Sequence, residues 1–370
     1  MWNYEDIDEV NIEISSLCNS ICAWCPRYEN MSSVVNKQLT PQYISVDKFK
    51  EWFPPEFVSR IKHWTYSGNY GDAGTNPDLV NIFRYTFEHN PNTTVFVHTN
   101  GGMKTPAFWS ELGTLFAENT NRVVVFSIDG LEDTNHIYRR TVNWQKVMDN
   151  SDAYISNGGN AVWEFLTFKH NQHQIDQAKE LAKSKGFSDI NIKRPAGFEK
   201  GNMLIKDKDF NLLYEIEPVD ESHISNGYPD LKGRKAEDLD YPSIASTVEN
   251  HHSQEEGSIH CFSMRNGVEI HVTASGDIYP CCHFGHVSRY PREIQQVHKA
   301  QINHQFKDKK INLHHQSLKD ILDADPYNWV YNSWEKKSCL TCWGNCGVSK
   351  NKQSTMQRIY QKEGDIYGRS

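Results

Sequence analysis

The stretch Cys18-Asn19-Ser20-Ile21-Cys22-Ala23-Trp24-Cys25 decides how this chain is read. Its three cysteines are spaced C-x3-C-x2-C and follow directly on Val10-Asn11-Ile12-Glu13-Ile14, whose apolar alternation predicts a β-strand. Three thiolates in one tight loop can hold three corners of a cubane iron–sulfur cluster. The fourth iron then has no ligand from this loop and stays open to another molecule. That vacancy separates a catalytic cluster from an electron-transfer cluster, which normally has four protein ligands. The competing reading is a structural zinc knuckle, but structural zinc wants four closed ligands, and no fourth Cys or His lies near in the sequence.

The spacing, with aromatic Trp24 just before the last cysteine, resembles the radical S-adenosylmethionine (radical SAM) superfamily. The resemblance implies a 4Fe-4S cluster on Cys18, Cys22 and Cys25 that chelates S-adenosylmethionine and cleaves it reductively. The 5′-deoxyadenosyl radical so formed takes hydrogen from a substrate. An electron donor such as flavodoxin or ferredoxin is implied as a partner.

Bulk composition agrees with an intracellular enzyme. All nine cysteines fall in two groups, 18–25 and 261–346, with none in the 235 residues between. Scattered core cysteines would not leave such a gap, and an odd count without a secretory signal argues against a disulfide framework. Metal sites are the better account. At 370 residues the chain predicts one large and one small domain. A mean hydropathy of −0.69 and the lack of any apolar run near the roughly 20 residues needed to span a bilayer predict a cytoplasmic protein without a membrane segment. Charge is uneven: residues 261–370 carry a net +5 and the remainder −13.

Counting the opening strand, six strand–helix units follow one another at intervals of roughly 30 residues. Helix is predicted over Val46–Phe57, broken late by Pro54-Pro55, and strand over Ile61–Tyr66. Asn76 is predicted to cap the next helix. Strands at Thr94–Thr99, Val123–Ile128, Ala161–Phe168 and Ile190–Ile192 alternate with helices, the last of them stopped by Gly186. The pattern gives an α/β fold with a parallel sheet, too short to close an eight-stranded barrel. The family resemblance implies the same partial (βα)6 TIM-like barrel. Ligands on such sheets sit at the C-terminal strand ends, where the unusual loops lie.

Residues 1–198 are therefore read as the barrel and 199–257, rich in polar residues, as a bridge. Residues 258–350 form a small α+β domain and 351–370 a tail. In the second cysteine group, Val268–Val272 and Ile278–Cys282 flank a Thr273–Asp277 turn and predict a hairpin with a cysteine near each end. The C-x14-G-x4-C string, with Cys339, Cys342 and Cys346 beyond it, resembles the SPASM/Twitch extension of radical SAM enzymes. It implies one auxiliary 4Fe-4S cluster on Cys261, Cys281, Cys339 and Cys342, with Cys346 as a substitute and Cys282 as a bystander. A zinc ribbon is the alternative.

At the radical site the resemblance implies further contacts. Gly68, Asn69 and Asp72 in Gly68-Asn69-Tyr70-Gly71-Asp72 stand where the family's GGEP motif meets the methionine ammonium, with Asp in place of Glu. Ser127 and Arg139 or Arg140 would meet the methionine carboxylate, and Asn100 the ribose. His98, His136, Lys169 and His170 face the expected cavity by position. The substrate is a small metabolite or a peptide or protein. The first strand begins by residue 10, which leaves no room for the N-terminal peptide-binding domain of many peptide-modifying members and favours a small molecule or a directly bound macromolecule. Modification of a nucleotide or nucleic acid, through the cationic stretch His298, Lys299, His304, Lys307, Lys309, Lys310, His314 and His315, is a less favoured alternative, and a non-catalytic zinc- or iron-binding protein is another.

Overall fold

The computed structural model describes residues 2–195, 198, 201–220, 257–264, 267–288, 296–307 and 309–348. Most of the bridge and all of the 351–370 tail read from the sequence lie outside the described residues. Two compact units divide the chain: one is Ile12–Gly227, the other Met1–Asn11 with Tyr228–Ser370.

The first unit is an α/β partial barrel. It takes the last residue of β1 (Ile7–Ile12), then β2 (Ile21–Cys22), α1 (Val46–Trp52), α2 (Pro55–Val58), β3 (His63–Tyr66) and α3 (Leu79–His89). There follow β4 (Thr94–Thr99), α4 (Pro106–Phe116), β5 (Arg122–Ser127), α5 (Asn135–Tyr138), β6 (Arg139–Arg140), α6 (Trp144–Ser156), β7 (Asn160–Leu166), α7 (Ile175–Lys185) and β8 (Asp189–Lys193). Strands β3, β4, β5, β7 and β8 pair in parallel in that order. Ser67, just past β3, donates its N–H to the Ile12 carbonyl at 3.1 Å.

Register fixes which side chains share a face. Trp64, Tyr66, Phe126 and Trp163 point outward onto the helices, where Trp64 meets Phe49 and Phe53 at 5.4 and 5.3 Å. Tyr66 meets Phe83 at 4.8 Å, and Phe126 meets Trp109 at 5.2 Å. The opposite face carries His98, Ser127, Glu164, Asn191 and Lys193; Ser127 is paired with Glu164 and Glu164 with Asn191. The inner face is apolar lower down, at Phe96, Val123, Val125 and Val162, and turns polar toward the C-terminal strand ends, where a ligand of such a barrel sits.

The helical stretch over Val46–Phe57 is broken at Pro54-Pro55 as expected, because Pro55 cannot continue α1 and instead opens α2. One local expectation is corrected. Asn76 does not cap α3, which begins at Leu79. Its buried amide donates to the carbonyls of Ile14 and Ile44 at 3.0 and 2.9 Å, and its oxygen accepts from the Asp78 N–H. Gly186 ends α7 at φ +83°, as expected of a left-handed helix stop. The stretch read as a bridge is, over Met203–Lys206 (β9) and Leu212–Ile216 (β10), an antiparallel hairpin of the barrel unit.

The second unit is built on the predicted hairpin, Val268–Val272 against Ile278–Tyr279, with His271 opposite Tyr279. Gly276 takes φ +81° in its turn. The N-terminal residues belong to this unit: Trp2 Nε1 donates to the Glu269 carbonyl at 2.9 Å, and Asp8 accepts from the Val268 N–H at 2.8 Å. Trp2 is also ringed by Tyr327, Tyr331 and Trp334. Helices Cys282–Ser288, Gln296–Phe306, Leu318–Asp323, Asn328–Asn332 and Leu340–Cys346 complete it. No helix among the described residues is long and apolar enough to cross a membrane.

Candidate active site

The cysteine loop is held by backbone before it holds anything else. Ile21 and Cys22 pair antiparallel with Arg140 and Arg139, and Ala23 donates to the Tyr138 carbonyl. Arg140 is spent on three carbonyls, those of Ile21, Ser32 and Lys206, at 2.9, 3.0 and 3.3 Å. Buried Arg27 donates to the carbonyls of Ser16 and Tyr70. Behind the loop, Ala23, Tyr138, Phe168, Phe198, Met203, Ile205 and Ile216 form a closed apolar cluster, and Trp24 packs against it. The hairpin β9–β10 thus supplies the back wall of the cysteine loop.

Cys18, Cys22 and Cys25 form no disulfide and are partly exposed. Ser20 places its N–H 3.3 Å from Cys18 Sγ and its hydroxyl 3.0 Å from Cys22 Sγ. Burial, then the charges of Asp72, Cys22 and Cys25, push the Cys18 thiol well up. Crowded thiols that resist losing protons are a poor resting state and a good donor set for a cationic cluster, which removes the mutual repulsion. N–H groups also approach the sulfurs, with Arg139 Nη1 3.6 Å from Cys22 Sγ and Asn100 Nδ2 3.7 Å from Cys18 Sγ. Such contacts tune an iron–sulfur centre. Among the described residues no three His, Cys, Asp or Glu side chains converge on one metal ion. A cubane differs from such a site, since its three thiolates bind three different irons. The residues fit the cluster.

The loop after β3 is pressed against the end of β1. A Cβ on Gly71 would lie 1.8 Å from the Ser15 carbonyl oxygen, and one on Gly68 1.9 Å from that of Gly71. Only glycine allows that approach. Buried Glu13, at the end of the opening strand, clamps the loop by accepting from the N–H groups of Tyr70 and Gly71. Gly68 is exposed and Asn69 half-buried at the mouth. Asp72 is buried and receives four donors: Gly74 N, Thr99 Oγ1, Asn100 N and Asn100 Nδ2, at 2.6 to 2.8 Å. A carboxylate has about four acceptor positions, so this one is filled from within the chain. Burial still holds its carboxyl above the usual range.

Asn100 also donates to Asn19 Oδ1 at 2.8 Å and accepts from Gly102 N. It straps the β4 end to the cysteine loop. Arg139 Nε pairs with Asp129 Oδ2 at 2.6 Å, and Asp129 accepts from Leu166 N on its other oxygen. Burial pushes the Asp129 carboxyl up while Arg139 pulls it down. Ser127 is half-buried at the end of β5, and no hydrogen bond to its hydroxyl is made among the described residues.

On the inner face Lys193 Nζ and Glu164 form an ion pair at 2.7 Å, with side chains 21% and 16% exposed. Burial pushes Glu164 up, but Lys193, with His98 and Arg139, outweighs it and leaves the carboxyl below its usual range. His98 lies beside this pair, its pKa lowered by burial. Asn191 Nδ2 and Thr167 Oγ1 are buried on β8 and just past β7 without a partner. Of the other three residues placed by position, His136 and Lys169 are exposed and His170 stacks on Phe168 at 5.2 Å.

In the second unit Cys261, Cys281, Cys342 and Cys346 line one pocket, together with Trp2, Phe284 and Thr341. The Thr341 hydroxyl is buried without a partner, as a donor facing an absent acceptor would be. Burial and the neighbouring thiols push Cys281 well up and Cys346 to about 11. Cys339 is fully buried at the N-cap of Leu340–Cys346, and its thiol is in hydrogen-bond contact with that of Cys342, which lines the pocket. Cys282 opens the helix after the hairpin, near Glu269 and Cys346. These residues too fit an iron–sulfur cluster.

Residues 12–183 match the radical SAM superfamily and residues 261–346 the SPASM iron–sulfur cluster-binding domain. Streptococcus suis SuiB bound to precursor peptide SuiA has a similar fold at 14% identity, covering 89% of this chain and 67% of that one with a TM-score of 0.52. Histidine-tagged anSMEcpe with bound AdoMet is similar at 14% identity, covering 98% and 94% with a TM-score of 0.51. Across SuiB structures the chain spans 61% to 73% of the other's length. No curated protein matches. The cofactors that go with these domains are a 4Fe-4S cluster with S-adenosylmethionine and SPASM auxiliary iron–sulfur chemistry. This chain belongs to the radical SAM superfamily and is a radical SAM enzyme with a C-terminal SPASM domain.

Proposed function

We propose that the enzyme abstracts hydrogen from a peptide or small-molecule substrate held against the polar inner face of the barrel. When bound, the cluster on Cys18, Cys22 and Cys25 supplies the electron that splits S-adenosylmethionine into methionine and a 5′-deoxyadenosyl radical. The chain's own task is to orient and to exclude water. The carbonyls of Gly68 and Asn69 take the methionine ammonium, while Asp72 works one step back by fixing Asn100 and the loop. Ser127 and Arg139, through its Nη2, take the carboxylate as charge-assisted donors. Trp24 seals the rear of the loop. Asn191, Thr167 and Lys193 offer donors to a carbonyl or carboxylate of the substrate. Cys261, Cys281, Cys342 and Cys346 hold one auxiliary cluster. Nine cysteines, none of them in a disulfide, suit a reducing compartment.

The observation that carries this reading is the accessible three-thiol loop pinned between β6 and the end of β4. It is tested by anaerobic reconstitution. About eight irons and eight sulfides per chain are expected, with 5′-deoxyadenosine formed on reduction. The Cys18→Ala/Cys22→Ala/Cys25→Ala variant should keep about four irons and form none. Full cleavage by that variant refutes the proposal.

A further inference from the structure

Ser263, Thr341 and Asn345 line the same pocket as Cys261, Cys281, Cys342 and Cys346, and they differ in what they are bonded to. Ser263 donates its hydroxyl to Glu269 Oε1 at 3.1 Å, and Asn345 donates its amide to the Thr341 carbonyl at 2.9 Å. The Thr341 hydroxyl, on a residue 1% exposed, has no partner among the described residues.

A buried threonine in a helix commonly turns its hydroxyl back onto the carbonyl four residues earlier. Thr86 does so in this chain, donating to the Ile82 carbonyl at 2.9 Å. Thr341 has no helical carbonyl to use, because it is the second residue of the helix Leu340–Cys346. Lys337, four residues earlier, lies outside that helix at φ +54°. The Ser338 carbonyl accepts from Gln301 Nε2 at 2.7 Å. A buried hydroxyl left without an acceptor is costly. The same helix places Cys342 and Cys346 on the pocket beside Thr341. Sulfur is therefore the acceptor that a cluster on those thiolates brings within its surroundings.

We infer that Thr341 donates its hydroxyl to a sulfur of the auxiliary cluster and raises the reduction potential of that cluster. A donor on sulfur draws off negative charge, and the reduced cluster, one electron richer, gains most from it. Thr341 tunes the cluster without being one of its ligands. This inference rests on the reading of Cys261, Cys281, Cys342 and Cys346 as the ligands of one cluster.

The test uses the reconstituted full chain. The same measurements in the Cys18→Ala/Cys22→Ala/Cys25→Ala background assign the auxiliary signal. Thr341→Val replaces the hydroxyl by a methyl group, and Thr341→Ser keeps it. Both should hold as much iron as the parent. In redox titrations followed by electron paramagnetic resonance, the auxiliary midpoint should fall in Thr341→Val and return to the parent value in Thr341→Ser. After exchange into D2O, a deuteron coupled to the cluster should be seen in the parent and in Thr341→Ser and be missing in Thr341→Val. An unchanged midpoint in Thr341→Val, or an equal shift in both variants, overturns the inference. If Thr341→Val loses iron, the parent decides alone: an auxiliary cluster with no coupled exchangeable deuteron overturns the inference. A chain without Cys18, Cys22 and Cys25 that binds no iron removes the cluster reading itself, and the inference with it, so the two failures are distinct.

Discussion

Replacing Arg139 by Met strikes the point where fold and chemistry share one side chain. Asp129 is fully buried, and among the described residues its carboxylate keeps two partners, Arg139 at 2.6 Å and the Leu166 N–H at 2.8 Å. Removing the guanidinium leaves a buried charge with one backbone donor, which costs about 3–5 kcal/mol. Against the 5–15 kcal/mol typical of a folded domain the variant should still fold, with its midpoint lowered by roughly 10 °C. The loss is mostly stranded charge, so Asp129→Asn in the same chain should recover about half of it, a coupling of roughly 2 kcal/mol. Denaturant titration of both singles and the double, reduced and at neutral pH, measures that coupling. Redox titration reads the chemistry separately. Losing a cation 3.6 Å from Cys22 Sγ should move the cluster potential negative by on the order of tens of millivolts, in the single and the double alike. A single variant costing under about 1 kcal/mol, or strict additivity, refutes the reasoning.

Met203 is fully buried behind the cysteine loop, so Met203→Ala should cost about 2–5 kcal/mol and speed iron loss from the radical site, followed by chelator-induced bleaching. Cys346→Ser should halve the iron retained by a chain lacking Cys18, Cys22 and Cys25, or abolish it, while Cys339→Ser should retain it, as elemental analysis would show. His271 is buried with its pKa lowered to about 3. The unfolded chain takes up a proton near pH 6.5 that the folded chain refuses, so stability is full above that pH and falls below it. About 2 kcal/mol should be lost between pH 6.5 and 5, and His271→Gln should remove that part of the slope in urea titrations.

Much of the site was legible because its signals are local. The C-x3-C-x2-C spacing and the polar loops after apolar strands lie within a few residues of each other, and the parallel sheet brings those loops to one end. Glu13 carried no such signal, because Asp8, Glu9 and Asn11 also break the apolar pattern of the strand before it. The hairpin β9–β10 was hidden because Leu204, Leu212 and Leu213 are more than two-fifths exposed, which blurs the alternation of Met203, Ile205 and Ile216. Spacing alone does not show which cysteines meet in space: Cys342 and Cys346 lie four residues apart on one side of the helix Leu340–Cys346, and Cys339, at its cap, touches Cys342. Attachment of Met1–Asn11 to the C-terminal unit rests on contacts such as Trp2 to Glu269, 267 residues apart, and no local pattern encodes that.

The central claim is tested most directly by magnetic resonance of the reduced enzyme with S-adenosylmethionine labelled at its amino nitrogen and carboxylate oxygen. Hyperfine coupling of both labels to the Cys18/Cys22/Cys25 cluster is expected, and it should vanish in the variant lacking those three thiols. A reduced cluster whose spectrum ignores the labelled compound would contradict the account.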